Sequence, residues 1–198
     1  IDPDAIEWEN GEARPAGDNA GKFKPLSLAE IADKATATGG PIGAGVQLNT
    51  EGAEGGFATH ICVVEVDVAL GIVRVIRYTS IQDVGKAIHP DYVEGQLQGG
   101  CAQGIGWALS EEYIYNKNGH LDNTGFLDYR MPVCSDLPML DTLIIEVPNP
   151  KHHRGVRGVG EVPVVPTLNA VSNAVYQALG KRSYSLPMSP PKVLKIIE

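Results

Sequence analysis

The chain has 198 residues, 43% of them hydrophobic and 20% charged, which supplies enough apolar material for a folded core and excludes a disordered chain. A formal net charge of −8 argues against nucleic acid or an anionic membrane surface as partner, since both call for a basic face. No apolar run reaches the roughly 18 residues of a bilayer span, and 23 glycines and 14 prolines without a repeat period indicate a loop-rich domain.

Residues 1–25 are polar and irregular, with a short strand expected around Ile6-Glu7-Trp8 before the turn Asn10-Gly11. Ser27, with Glu30 three places on, forms a capping-box start to a short helix over 28–35, which Gly39-Gly40-Pro41 ends. From Gly56 the pattern changes to period two. Cys62, Val64, Val66 and Val68 share one face, Glu65 and Asp67 the other. Leu70-Gly71 then turns the chain into Ile72-Val73-Arg74-Val75-Ile76-Arg77-Tyr78, which predicts a β-hairpin.

After Asp83-Val84-Gly85 and His89-Pro90, the spacing of Val93, Leu97, Cys101, Gly104 and Ala108 predicts a helix over 91–112. It carries Gly95, Gly99, Gly100, Gly104 and Gly106, and each interior glycine costs about 1 kcal/mol relative to alanine. Close approach of another backbone, or of a flat ligand, would compensate for that cost. A strand is expected near Glu112-Tyr113-Ile114-Tyr115, then a turn at 116–119 and an irregular stretch through Asp128-Tyr129-Arg130-Met131-Pro132. Leu143-Ile144-Ile145-Glu146-Val147 reads as another strand and 154–161 as a glycine-rich loop. Pro166 and Thr167 open a helix with Leu168, Val171, Val175 and Ala178 on one face, stopped by Gly180. Ser189-Pro190-Pro191 begins a last short helix. Strands and helices without strict alternation indicate an α+β fold of mixed sheets with packed helices.

Cys62, Cys101 and Cys134 are odd in number, widely spaced and set among apolar residues. They suit buried, reduced thiols and a cytoplasmic location rather than a disulfide framework. His152-His153 are adjacent, and a solvated loop explains them better than a metal site. P-loop, dinucleotide, nucleophile-elbow and zinc-protease motifs are all absent from the sequence.

Two segments could carry chemistry. Glu94-Gly95-Gln96-Leu97-Gln98-Gly99-Gly100-Cys101-Ala102-Gln103-Gly104 combines glycines with amides that both donate and accept, suited to the edge of a heterocycle. Tight helix packing with exposed glutamines is the plainer explanation. Arg154-Gly155-Val156-Arg157-Gly158-Val159-Gly160-Glu161-Val162-Pro163 presents one carboxylate after alternating glycines and just before a proline. Glu161 so placed could act as a general base, or be an ordinary surface glutamate beside two arginines.

Taken in order from Gly56 to Leu194, these motifs resemble the molybdenum-binding large subunit of the xanthine dehydrogenase/aldehyde oxidase family. This family, the molybdenum hydroxylases, includes aldehyde oxidoreductases and carbon monoxide dehydrogenase. The resemblance also takes in Asn173-Ala174-Val175 and Leu186-Pro187-Met188-Ser189-Pro190. It implies that Glu161 is the catalytic base. It further implies that Gln96 hydrogen-bonds the pterin, with Gly99, Gly100 and Gln103 near the cofactor and no protein side chain of this chain on the metal. Arg157 stands where many relatives carry lysine.

The implied cofactor is molybdopterin with molybdenum, in its cytosine dinucleotide form, with [2Fe–2S] clusters and FAD on partner chains or domains. The implied reaction oxidises an aldehyde or N-heterocycle with water as oxygen source. The implied partners are the remainder of the molybdenum-binding subunit, an iron–sulfur subunit and a flavin subunit. Because Ile1 replaces an initiating Met and the family's upstream motifs are missing, residues 1–198 are expected to be the C-terminal segment of a longer protein. Within it, 1–55 forms a polar N-terminal portion and 56–198 the motif-bearing core. The alternatives are a non-catalytic module that holds cofactor or completes a partner's fold, and an unrelated α+β binding protein.

Overall fold

Two three-stranded sheets organise the residues that the computed structural model describes, 3–47 and 54–198. They fall in separate units, Ile1–Asn49 and Thr50–Glu198. In the first, β1 (Ile6–Glu9) and β2 (Glu12–Pro15) form an antiparallel hairpin. Its turn residues Asn10 and Gly11 both take positive φ, 53° and 80°, the backbone of a tight two-residue hairpin turn. The short β3 (Leu26–Ser27) pairs with β2 and leads into α1 (Leu28–Thr38). The capping box forms as expected. Ser27 Oγ accepts from the Glu30 N–H at 3.3 Å, and Glu30 Oε2 accepts from the Ser27 N–H at 2.9 Å. That backbone donor, with the Ser27 hydroxyl, holds the Glu30 carboxyl below its ordinary range.

The second unit is built on β4 (Ala58–Asp67) and β5 (Ile72–Asp83), the expected hairpin, extended at both outer ends. Cys62, Val64 and Val66 face inward, but Val68 lies in the turn and is exposed. The register passes from Val63↔Arg77 to Val64↔Val75, so Ile76 is an extra residue in β5. The bulge moves the inward phase from Val73 and Val75 to Tyr78, Ser80 and Gln82, which places polar groups beneath the helices. β6 (Leu140–Ile145) runs parallel to β5, from Tyr78↔Leu140 to Asp83↔Ile145. It ends before the expected Val147, whose N–H goes to Asp83 Oδ1 at 3.1 Å instead of to a strand.

α2 (Pro90–Leu109) and α3 (Val164–Leu179) pack on each other and on the sheet, and α4 (Pro190–Ile197) closes against β5. Val75, Tyr78, Cys101, Ile105, Ala108, Val171, Val175, Met188 and Val193 make the core. α2 stops short of 112 because Ser110 leaves helical geometry and its Oγ donates to the Arg130 carbonyl at 2.8 Å. Residues 112–115 are not a strand. A single bridge joins Tyr115 to Leu121, and the buried Asn123 amide supplies the missing pairing. It donates to the Glu112 carbonyl at 2.6 Å and accepts from the Ile114 N–H at 2.9 Å. α3 begins two residues before Pro166, buries Val164 and Thr167 rather than Ala178, and ends at Gly180 in the left-handed region. Cys101 is buried and Cys62 partly so, but Cys134 is exposed, on a short 3₁₀ turn.

Candidate functional site

α2 starts where its sequence says it should. His89 Nδ1 accepts from the Tyr92 N–H at 3.4 Å, its ring stacks on Tyr92 at 4.0 Å, and Pro90 occupies the first turn. Gln96, Gly99 and Gln103 stand three and four residues apart along this helix, so they share one face, and all are exposed. A Cβ at Gly95 or Gly99 would meet nothing within 4 Å. This face is therefore smooth, free of Cβ bulk and edged with amides.

Gly100 lies on the flank turned to α3. A Cβ there would stand 2.7 Å from Pro163 Cγ, and one at Gly104 2.5 Å from Thr167 Cβ. The two glycines let the first turn of α3 sit against α2, which is the close backbone approach that the glycine count called for. Glu161 precedes that turn directly, and its carbonyl accepts from the Val164 N–H at 3.1 Å. Its side chain is exposed. Gly160 faces Gln96, whose Nε2 would lie 3.6 Å from a Cβ at Gly160. The fold thus brings together Gln96, Gly100 and the Gly160-Glu161 step from separate segments. Gln103 and Gly99 lie along the same helix, on its open side.

The loop before Glu161 is anchored to the end of β5. Asp83 Oδ1 accepts from the Gly85 and Val147 N–H groups at 3.0 and 3.1 Å, and Oδ2 meets Arg157 Nε at 3.1 Å. The side chains of this ion pair are 9% and 7% exposed. Arg157 Nη1 also donates to the Gly55 carbonyl at 2.7 Å, and the Arg157 N–H to the Val84 carbonyl at 3.0 Å. Gly85, at φ 65°, lies so close to the Gly155 carbonyl that no side chain would fit. Arg157, noted from sequence only as a departure from lysine, is a buried structural cation.

Behind the site lies a polar network that sequence reading missed. His60 Nδ1 lies 2.8 Å from Tyr78 Oη and 3.2 Å from Thr167 Oγ1, while Nε2 lies 2.9 Å from Ser80 Oγ. Thr167 Oγ1 in turn donates to the Pro163 carbonyl at 2.7 Å. Burial lowers the His60 pKa to about 4 and raises those of Tyr78, Cys101 and Cys62, the last to about 12. Beside this network Gln82 is fully buried, and neither amide atom has a hydrogen-bond partner among the described residues. The polar residues alternating with Tyr78 on β5 were the available signal, hidden by the phase change at Ile76.

A cleft of about 230 Å³ opens beside the site, lined by Val84, His89, Tyr92, Gln96, Arg157 and Val159 among others. A larger apolar cavity, about 540 Å³, lies under β5, the end of α2 and residues 130–138 and touches none of the candidate residues. The smaller cleft is the relevant one because it contains Gln96 and borders the Glu161 loop. His152 and His153 stack on each other at 4.7 Å on their loop. Among the described residues no three His, Cys, Asp or Glu side chains are grouped to hold a metal, and no helix is long and apolar enough to cross a membrane.

Residues 1–138 match the family profile of the molybdopterin cofactor-binding domain. The chain is 36% identical over 156 residues to the xanthine dehydrogenase molybdenum-binding subunit of Escherichia coli O157:H7, covering 78% of this chain and 21% of that protein. It is 40% identical over 139 residues to the nicotine 6-hydroxylase large subunit of Paenarthrobacter nicotinovorans, covering 69% and 17%. Quinoline 2-oxidoreductase from Pseudomonas putida 86 superimposes with a TM-score of 0.75 at 32% identity, over 98% of this chain and 26% of that one. The chain spans about a fifth of the length of the curated relatives it matches.

Proposed function

The chain belongs to the molybdopterin cofactor-binding domain family, and from that premise we propose that it presents a general base, Glu161, within a molybdenum-dependent oxidoreductase. The reaction proposed is hydroxylation of an aldehyde or N-heterocycle carbon with oxygen from water. Electrons leave to [2Fe–2S] clusters and FAD on partner chains or domains. The rest of the molybdenum-binding subunit, an iron–sulfur subunit and a flavin subunit complete the enzyme. The cytoplasm suits its three free cysteines.

The observation that carries this reading is the meeting of Gly160 with Gln96, which sets the Glu161 loop beside the amide-bearing face of α2. That face fits a flat, heteroatom-rich group. Gly95 and Gly99 leave the space a Cβ would fill, and Gln96 and Gln103 can each donate and accept at a pterin edge. Gly100 contributes by keeping Pro163, and with it Glu161, against the helix. When bound, molybdopterin, in the cytosine dinucleotide form, supplies the two-electron redox chemistry. The part of this chain is to orient that group through Gln96 and Gln103 and to take up a proton at a Glu161 carboxylate oxygen as substrate is oxygenated.

The test is Glu161→Gln in the assembled enzyme. Turnover should fall by about a hundredfold to ten-thousandfold with molybdenum content unchanged, the scale of loss when a general base is removed. Wild-type turnover in that variant would leave the chain as a module that holds cofactor without catalysing.

A further inference from the structure

We propose that Asp83 and Arg157 are positioning residues for Glu161, and that their buried ion pair sets the place of its carboxylate. The inference rests on the reading of Glu161 as the base.

Glu161 makes no described side-chain hydrogen bond, so its location is inherited from the backbone on either side. Downstream that backbone is fixed within three residues. The Pro163 ring fills the slot over Gly100, the Pro163 carbonyl accepts from Thr167 Oγ1, and the Glu161 carbonyl accepts from the Val164 N–H. Upstream, residues 158–160 are two glycines and a valine with no described hydrogen bond until Arg157. Arg157 is thus the first fixed point. Its guanidinium joins three things: the carboxylate of Asp83 on the central strand, the Val147 carbonyl beyond β6 and the Gly55 carbonyl before β4. Asp83 also holds the N–H groups of Gly85 and Val147, so no oxygen of this carboxylate is idle.

Arg157 and Glu161 are separated by four steps of chain, about 13 Å if extended. A shift of the upstream anchor by an ångström has few intervening contacts to absorb it before it reaches the carboxylate. A misplacement of about 1 Å at a reacting group costs on the order of a hundredfold in rate. An ammonium in place of the guanidinium would keep a charge facing Asp83 but not the rigid fork whose Nε and Nη1 reach the Val147 and Gly55 carbonyls.

The experiment uses the assembled molybdenum enzyme with Asp83→Asn, Arg157→Lys and Glu161→Gln, comparing kcat, KM, molybdenum content and amide hydrogen exchange. Asp83→Asn is expected to lower kcat at least tenfold with KM within threefold. It should also speed exchange across 155–161 at least tenfold while α3 keeps its protection. Arg157→Lys, which keeps the charge but not the fork, should show both effects to a smaller degree. Glu161→Gln should abolish turnover and leave loop exchange unchanged. Wild-type kcat in Asp83→Asn, with Glu161→Gln inactive, would overturn the positioning role alone. Loss of protection throughout α3 in both Asp83→Asn and Arg157→Lys would overturn it too, since the pair would then be holding the whole fold. Full activity in Glu161→Gln would overturn the reading of the base itself, a result distinct from the first two.

Discussion

The Pro163 ring occupies the space that a side chain at Gly100 would need, with Pro163 Cγ 2.7 Å and Cβ 2.9 Å from the Cβ position. Gly99, one residue earlier, faces open space. These neighbouring glycines answer different demands, one from within the fold and one from outside it. Gly100→Ala should lose about 1–3 kcal/mol, because Pro163 is tied to Thr167 and cannot withdraw freely. Gly99→Ala should gain up to about 1 kcal/mol from helix propensity alone. In the assembled enzyme Gly99→Ala should instead lower molybdenum content, since the added methyl stands on the proposed cofactor face. Urea unfolding of the two variants, with metal analysis of the enzyme, checks both halves. A destabilised Gly99→Ala or a neutral Gly100→Ala would contradict the assignment.

His60 makes a pH prediction with a definite sign. Burial lowers its pKa from the ordinary 6.5 to about 4, because a charged imidazole would lose its hydration against Tyr78, Ser80 and Thr167. Between those two values the unfolded chain binds a proton at residue 60 and the folded chain does not. This group therefore contributes a loss of stability as pH falls from 6.5 to about 4, and no further change below. His60→Gln, which keeps one donor and one acceptor, should remove that part of the slope. The wild-type unfolding midpoint should fall relative to that of the variant as pH drops from 6.5 to about 4. Parallel curves would show that His60 titrates normally.

Much of this fold was legible because its signals are local. The capping box of Ser27 and Glu30 and the alternation of Cys62, Val64 and Val66 each lie within a few residues, and so does the Gly180 stop. What escaped the sequence depends on individual side-chain and turn hydrogen bonds, a bulge and pairings between distant segments. The 112–115 strand is replaced by the side chain of Asn123, and α3 starts early because Glu161 and Val162 accept its first bonds. One inserted residue at Ile76 turned a clean alternation into a buried face of Tyr78, Ser80 and Gln82. At the site, the glycines of α2 were visible as a cost. Only the structure divides them into Gly100 and Gly104, which pack on the start of α3, Gly106, which packs on Pro132, and Gly95 and Gly99, which face outward. Arg157 could be read as a cation near Glu161, but its pairing with Asp83 joins segments no spacing rule connects.

Gly160 gives the most direct test of the meeting between loop and helix. Its φ lies outside the left-handed region, and a Cβ would make ordinary van der Waals contact with Gln96 Nε2 at 3.6 Å. Gly160→Ala should therefore fold normally. Its stability should be unchanged or raised by about 0.4–1 kcal/mol, because alanine restricts the unfolded chain more than glycine does. The new methyl would nevertheless stand against the Gln96 amide, one residue before Glu161. In the assembled enzyme kcat should drop roughly tenfold or more, the cost of displacing a reacting group by a fraction of an ångström. Gln96→Ala in the same background removes the opposing amide and should restore space without restoring the amide's bond to cofactor. The double variant should then recover kcat relative to Gly160→Ala while keeping the lower molybdenum content of Gln96→Ala. Wild-type kcat in Gly160→Ala, measured alongside its unfolding midpoint, would show that this contact does not govern the place of Glu161.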